Sequence, residues 1–259
     1  MKIIVSPAKK MREDPETMPV TGLPFFVDRA KELADWIRGL SFSQQKALWV
    51  CNEKIALQNR ERFAAMDLIR NLTPALLAYE GIQYQYMAPR VLERAAWDYA
   101  QKHLRILSGF YGILRPLDGV VPYRLEMQAK GAPAGWKDLY DFWGSSLCDR
   151  LMEEERDEGE DPLVVNLASK EYSRCSESWL PKEARMITCV FGELSGGGQK
   201  ERKIVQKGTM AKMARGEMVR FLAGRQVQEP EEIKEFCGLG YRFFAEKSDC
   251  RTYTFIKMD

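Results

Sequence analysis

Histidine is nearly missing from this chain: one residue, His103, in 259. A site built on two or more imidazoles, such as an HExxH zinc centre, is therefore excluded. A Ser-His-Asp or Cys-His arrangement would have to use His103. That residue shares one face of a predicted helix with Leu92, Ala96 and Tyr99, and reads as packing at the helix end, with catalysis as the alternative. The six cysteines (51, 148, 175, 189, 237 and 250) form no CxxC pair, so reduced thiols are expected and no iron–sulfur or tight ferrous site is visible. An all-carboxylate metal site stays open, and no metal residue is assigned. Neither GxGxxG after a strand nor GxxxxGK[ST] occurs, and no cofactor is assigned. No apolar run is long enough to span a bilayer, and MKIIVSPAKK lacks the long apolar region of a signal peptide. A cytoplasmic protein with no membrane partner is expected.

What is present is the composition of a soluble globular protein, 45% apolar and 29% charged, long enough to bury a core without staples. The net charge of +2 hides an uneven distribution. Residues 151–161 (LMEEERDEGED) hold seven acids against one arginine and read as a solvated helix end and loop. Residues 200–225 hold eight bases against two acids. Strand composition marks IIV near the N-terminus, LRIL (104–107), VVNLAS (164–169), MITCVF (186–191), RKIVQ (202–206) and TYTFIK (252–257). Helical spacing marks 24–40, a helix capped by Ser41 and Gln44, one opened by Thr73-Pro74, one from Pro89 to His103, and two between RKIVQ and TYTFIK. IQYQYM (82–87) fits a strand or the entry to a helix. The expected fold is mixed α/β (α+β): one compact domain over 1–259, a mixed sheet and flanking helices.

Chemistry is concentrated in two patterns. Residues 103–127, HLRILSGFYGILRPLDGVVPYRLEM, carry three arginines on backbone restricted by Gly and Pro, with about one helical turn expected over 110–114. That suits guanidinium groups placed against an anion. In addition, three predicted strands end in small hydroxyl residues, Ser6, Ser108 and Ser169. If those strands are parallel neighbours, the serines line one crevice at the carboxyl edge of the sheet, where Lys9, Arg115 and Lys170 complement a phosphate. The helix 209–223 presents Lys212, Arg215 and Arg220 either to solvent or to an anionic ligand. Glu126, Asp118, Asp138 and Glu171 are available for acid–base work, although their spacing does not demand it. LSGFYGIL also compares loosely with the hairpin of a helix-hairpin-helix module, whose backbone N–H groups face a DNA phosphate. SGGG (195–198) and CGLG (237–240) read as turns.

Six segments together resemble the YaaA family of bacterial peroxide stress resistance proteins: SPAK (6–9), residues 103–127, KDLYDFWG (137–144), NLASKEY (166–172), KMARGEMVRF (212–221) and GYRF (240–243). The resemblance covers essentially the whole chain. It implies a role in limiting hydrogen peroxide damage, with lowered free iron as the proposed route. It also implies DNA binding through a positive cleft on an unusual α/β fold with a helix-hairpin-helix element. Where some members carry Lys-Gly-Asp, this chain has Glu80-Gly81-Ile82, so a basic contact is lost or replaced there. The expected partner is DNA, duplex or branched, held by Ser6, Lys9, Arg105, Ser108, Arg115, Arg124, Ser169, Lys170, Lys212, Arg215 and Arg220. The alternative is an enzyme acting on a nucleotide, a nucleic-acid base or another phosphorylated substrate, in a pocket at the strand ends that includes Glu126 or Glu171.

Overall fold

The computed structural model describes residues 1–156, 162–195 and 203–258. Its centre is an eight-stranded mixed sheet. The strands are β1 (Lys2–Val5), β2 (Leu104–Ser108), β3 (Gly112–Leu114), β4 (Leu163–Leu167), β5 (Arg185–Ser195), β6 (Lys203–Val205), β7 (Tyr241–Phe243) and β8 (Thr252–Lys257). Their order is β7-β8-β5-β4-β1-β2-β3, with β6 pairing β5 outside that path. Strands β2, β1, β4, β5 and β8 run parallel, whereas β3, β6 and β7 close antiparallel hairpins. β1, β2 and β4 are buried along their whole length, which is why they read as unbroken apolar runs rather than alternating ones.

Apart from a single helical turn at Ala75–Ala78, the α-helices among the described residues are α1 (Val27–Gly39), α2 (Phe42–Trp49), α3 (Glu53–Ala65), α4 (Ile82–Met87), α5 (Arg94–His103), α6 (Leu139–Trp143), α7 (Ser146–Arg156), α8 (Lys170–Glu177) and α9 (Gly208–Arg225). Helix α1 buries Ala30, Leu33, Ala34 and Ile37 on one face. Ser41 and Gln44 form the full capping box of α2, and Asn52 accepts from the Ile55 N–H to start α3. Among the described residues no helix is long and apolar enough to cross a membrane.

Four local expectations are corrected. Residues 110–114 do not form a helical turn: Ser108 Oγ accepts from the Phe110 and Tyr111 N–H groups at 3.1 and 2.9 Å, and the chain turns back as β3. Gly112 permits this at φ +75°, packed on Trp143 and Leu147. Because those N–H groups are consumed by a buried serine, LSGFYGIL is a strand hairpin and offers no helix-hairpin-helix contact to a phosphate. Thr73-Pro74 pairs with Gly119-Val120 and opens only a single helical turn, Ala75–Ala78, rather than a helix running to Gly81; Thr73 Oγ1 accepts from the Asp14 N–H at 2.8 Å. The acidic block is not wholly solvated, since Glu155 is buried against the N-terminal ammonium at 2.9 Å and Lys2 at 3.4 Å. Its residues 157–161, like Gly196–Gly198 of SGGG, lie outside the described residues. Finally, where a second helix is expected before β8 there are three 3-10 turns, Pro230–Glu235, Gly238–Gly240 and Ala245–Lys247.

Candidate functional site

β1 lies between β2 on one side and β4 on the other. The chain after β1 returns as β2 and later crosses back to β4, so β1 is where the strand order reverses. In open α/β sheets a crevice forms outside the carboxyl ends at such a point. Here it is a cavity of about 330 Å³, lined by the segment after β1, the segment after β4 and three elements folded over them.

The floor is made of serines. Ser6 Oγ accepts from the Ser169 N–H at 2.8 Å and donates to Ser169 Oγ at 3.1 Å, which ties the ends of β1 and β4 together. Tyr84 on α4 donates its hydroxyl to the Ser6 carbonyl at 3.0 Å. A two-residue ladder between Lys10-Met11 and Tyr79-Glu80 lays Gly81 and the start of α4 over SPAK. Helix α9 then lies against α4 so closely that a Cβ at Gly216 would stand 2.1 Å from the Gln83 carbonyl oxygen. Glycine at 216 is therefore what allows Lys212 and Arg215 to reach the cavity beside Gln83.

Five cationic side chains (Lys9, Lys10, Arg124, Lys212 and Arg215) and three acidic ones (Glu80, Glu126 and Glu171) line the cavity, an excess of two positive charges. The acids are not equivalent. Glu126 is held by Lys9 at 2.7 Å and Arg124 at 3.3 Å, and Glu80 by Lys10 at 2.7 Å. Glu171 has no ion pair among the described residues; its carboxylate accepts from the Gln128 N–H at 3.3 Å. Burial, opposed by that hydrogen bond and assisted by the Glu126 charge, pushes the Glu171 carboxyl above the ordinary range. Two donors are left over: Gln83 Nε2 and Arg215 Nε are both buried with no hydrogen-bond partner among the described residues. Burial also lowers the pKa of Arg215. Tyr84, Tyr123 and Tyr172 complete the wall, and burial raises all three phenols so that they stay protonated.

A family model described as "Peroxide stress protein YaaA" matches residues 1–247. The chain is 49% identical over 257 residues to a UPF0246 protein of Lachnoclostridium phytofermentans, covering 99% of this chain and 96% of that one. A UPF0246 protein of Agathobacter rectalis is 49% identical over 255 residues, 98% of each chain, and one of Desulfitobacterium hafniense is 47% identical over 257 residues, 99% and 98%. This chain belongs to the YaaA family of peroxide stress proteins.

In this YaaA-family chain the structure divides the serines and basic residues singled out by sequence into four sets. Ser6, Lys9, Arg124, Ser169, Lys212 and Arg215 line the cavity. Ser108 lies one hydrogen bond behind it, 2.5 Å from the hydroxyl of Tyr123, which is itself 2.7 Å from the Tyr79 hydroxyl. Lys170 and Arg220 are exposed at the first position of α8 and on α9. Arg105 and Arg115 are elsewhere: both pair with Glu154, at 2.6 and 3.3 Å, and Arg150 joins them at 2.9 Å. Arg105 is only 4% exposed, and its side chain also donates to the Gln101 and Leu104 carbonyls, so an external anion cannot reach it. Of the remaining carboxylates, Asp118 sits with that arginine group and Asp138 caps α6 by accepting from the Asp141 N–H. His103 is buried, 2.8 Å from the Met1 carbonyl oxygen and stacked near Tyr99, which is the packing role. Gln83 and Tyr84 were not singled out by sequence, because IQYQYM alternates like a strand and only its helical form points both toward SPAK.

Proposed function

We propose that this chain serves the peroxide response by binding DNA across the mouth of the strand-end cavity. One observation carries the reading. Of the eight basic residues expected to contact an anion, Lys170, Lys212, Arg215 and Arg220 have no carboxylate partner among the described residues; all four stand on α8 or α9, and Lys212 and Arg215 line the cavity. Uncompensated cations on adjoining elements favour a polyanion, which gains by releasing its own counterions. Limiting peroxide damage, with lowered free iron as the route, is the cellular outcome that this binding would serve.

A fluorescence anisotropy titration with duplex and branched DNA tests it. Binding is expected at low salt and should weaken steeply with added salt. Lys212→Ala and Arg220→Ala should each reduce the slope of log affinity against log salt by about 0.9. Absence of binding at low salt, or a slope indifferent to both substitutions, would sink the reading.

A second reading, an enzyme acting on a nucleotide or a base, is favoured by the two carboxylates. Glu171, pushed toward its protonated form by burial, shares the cavity with Glu126, which Lys9 and Arg124 pair; a proton donor beside a second, ion-paired carboxylate is what acid–base catalysis uses. In that case Glu171→Gln should abolish turnover of a nucleotide substrate while DNA binding persists.

A further inference from the structure

Several donors at the strand-end cavity lack an acceptor. Ser169 begins α8 with no side-chain cap, so the first-turn N–H groups of Lys170 and Glu171 lack an acceptor and the positive end of the helix is open. A separate feature points to the same ligand. Gln83 is 6% exposed, lines the cavity and has an unpartnered Nε2, and Arg215 presents an unpartnered Nε from the neighbouring helix. Leaving buried donors empty costs free energy, and a phosphate group would satisfy them together with Lys212. Beyond these donors the lining changes character, to three tyrosines and the carboxylates Glu126 and Glu171. Carboxylates accept from hydroxyl and amino groups, and aromatic walls accept a flat ring. The cavity's volume of about 330 Å³ is at the lower end of small-molecule sites.

We propose that the strand-end cavity binds a single nucleoside monophosphate, its phosphate held by Gln83, Lys212, Arg215 and the start of α8, its sugar and base facing Glu126, Glu171 and the tyrosines. The proposal rests on the reading that this cavity is the ligand site, and it names what occupies it. It does not depend on polymer DNA.

The test is isothermal titration calorimetry of the full chain with the common ribo- and deoxyribonucleoside 5′-monophosphates, the matching nucleosides, ribose 5-phosphate and inorganic phosphate. At least one nucleotide should bind with a stoichiometry of one, about tenfold or more tighter than its nucleoside, ribose 5-phosphate or phosphate alone. Gln83→Met and Arg215→Met keep side-chain volume and should each weaken that binding by about tenfold. Lys212→Ala, at an exposed position, gives the same reading without perturbing the core. Nucleosides binding as tightly as nucleotides would remove the anion subsite, and ribose 5-phosphate matching every nucleotide would remove base recognition. No nucleotide bound at millimolar concentration would overturn the proposal as a whole. DNA anisotropy on the same samples separates the two claims: nucleotide failure with DNA binding intact overturns only this inference, and the reverse overturns only the DNA reading.

Discussion

Two groups of cations in this molecule, each containing arginines that sequence offers as anion contacts, end in opposite electrostatic condition. Arg105, Arg115 and Arg150 converge on Glu154, and the guanidinium of Arg105 spends its remaining donors on the Gln101 and Leu104 carbonyls. Lys212 and Arg215 stand at the strand-end cavity with no carboxylate partner, and Arg215 keeps a buried Nε unbonded. The first group is complete and holds strand β2 to helix α7. The second is incomplete, and incompleteness in a cavity is what a ligand can use. Arginine density therefore fails to distinguish an anchor from a site; the state of the donors distinguishes them.

The comparison is broken most forcefully at Arg105. Arg105→Ala removes one partner of a buried ion pair and strips donors from two backbone carbonyls. A loss of about 3 kcal/mol in urea denaturation is expected, with nucleotide and DNA affinity of the folded protein unchanged. A loss of affinity without a loss of stability would move Arg105 into the ligand site. Gly216→Ala comes next and should strike both properties. Its Cβ would meet the Gln83 carbonyl oxygen at 2.1 Å, so α9 must shift away from α4. That overpacking costs about 1–3 kcal/mol, and the same shift withdraws Lys212 and Arg215 from the cavity. Gly216→Ala with full affinity would show that the close approach of the two helices does not position the site.

The sheet was largely legible in the chain, because buried parallel strands write themselves as short apolar runs, and VVNLAS and LRIL needed no partner to be recognised. The hydroxyl-ended strands also pointed to one edge of the sheet, where Ser6 and Ser169 do meet. Ser108 was placed one layer too far forward; what lies between it and the cavity is the side chain of Tyr123, which only the return path of residues 116–123 supplies. Arg105 and Arg115 face away from the cavity for a similar reason. Their partner, Glu154, stands far downstream in a segment whose charge reads as solvated, whereas Arg124 pairs locally with Glu126 and lines the cavity. Ion pairing between distant segments has no sequence period. Gln83 was illegible for a third reason: its importance comes from having no partner, which depends on the packing of α4 against α9 at Gly216.

Acidity sharpens the contrast within the satisfied group, with a smaller effect. Burial pushes Asp118 up to about 6 from an ordinary value of 3.8. The folded state then holds a proton that the unfolded chain releases, so this residue makes stability fall as pH rises between about 4 and 6. Glu154 works the other way. Burial opposes its ionisation, but Arg105, Arg150 and Arg115 outweigh that and hold its carboxyl below the ordinary 4.5. Its contribution is present above that value and is lost as pH falls through the lowered one. Asp118→Asn should therefore flatten the stability profile between pH 4 and 6 while leaving the acid limb below 4.5 in place. Denaturant midpoints measured across pH resolve the two limbs, and an unchanged profile between them would contradict the burial of a titrating Asp118.

The smallest expected change carries the opposite sign. Arg215 is a largely buried cation with no carboxylate partner among the described residues, and burial already lowers its pKa. Arg215→Met keeps the length of the side chain, removes the buried charge and removes an unsatisfied donor. Where one partner is already missing, such a replacement is neutral or stabilising. The denaturation midpoint should stay level or rise by up to about 1 kcal/mol, and nucleotide affinity should fall in the same protein. A destabilisation of the size expected for Arg105→Ala would mean that Arg215 holds the fold as Arg105 does, and the distinction between an anchored and an unanchored guanidinium would disappear. A gain in stability with a loss of binding is the signature of a side chain kept at a structural cost for the sake of a ligand.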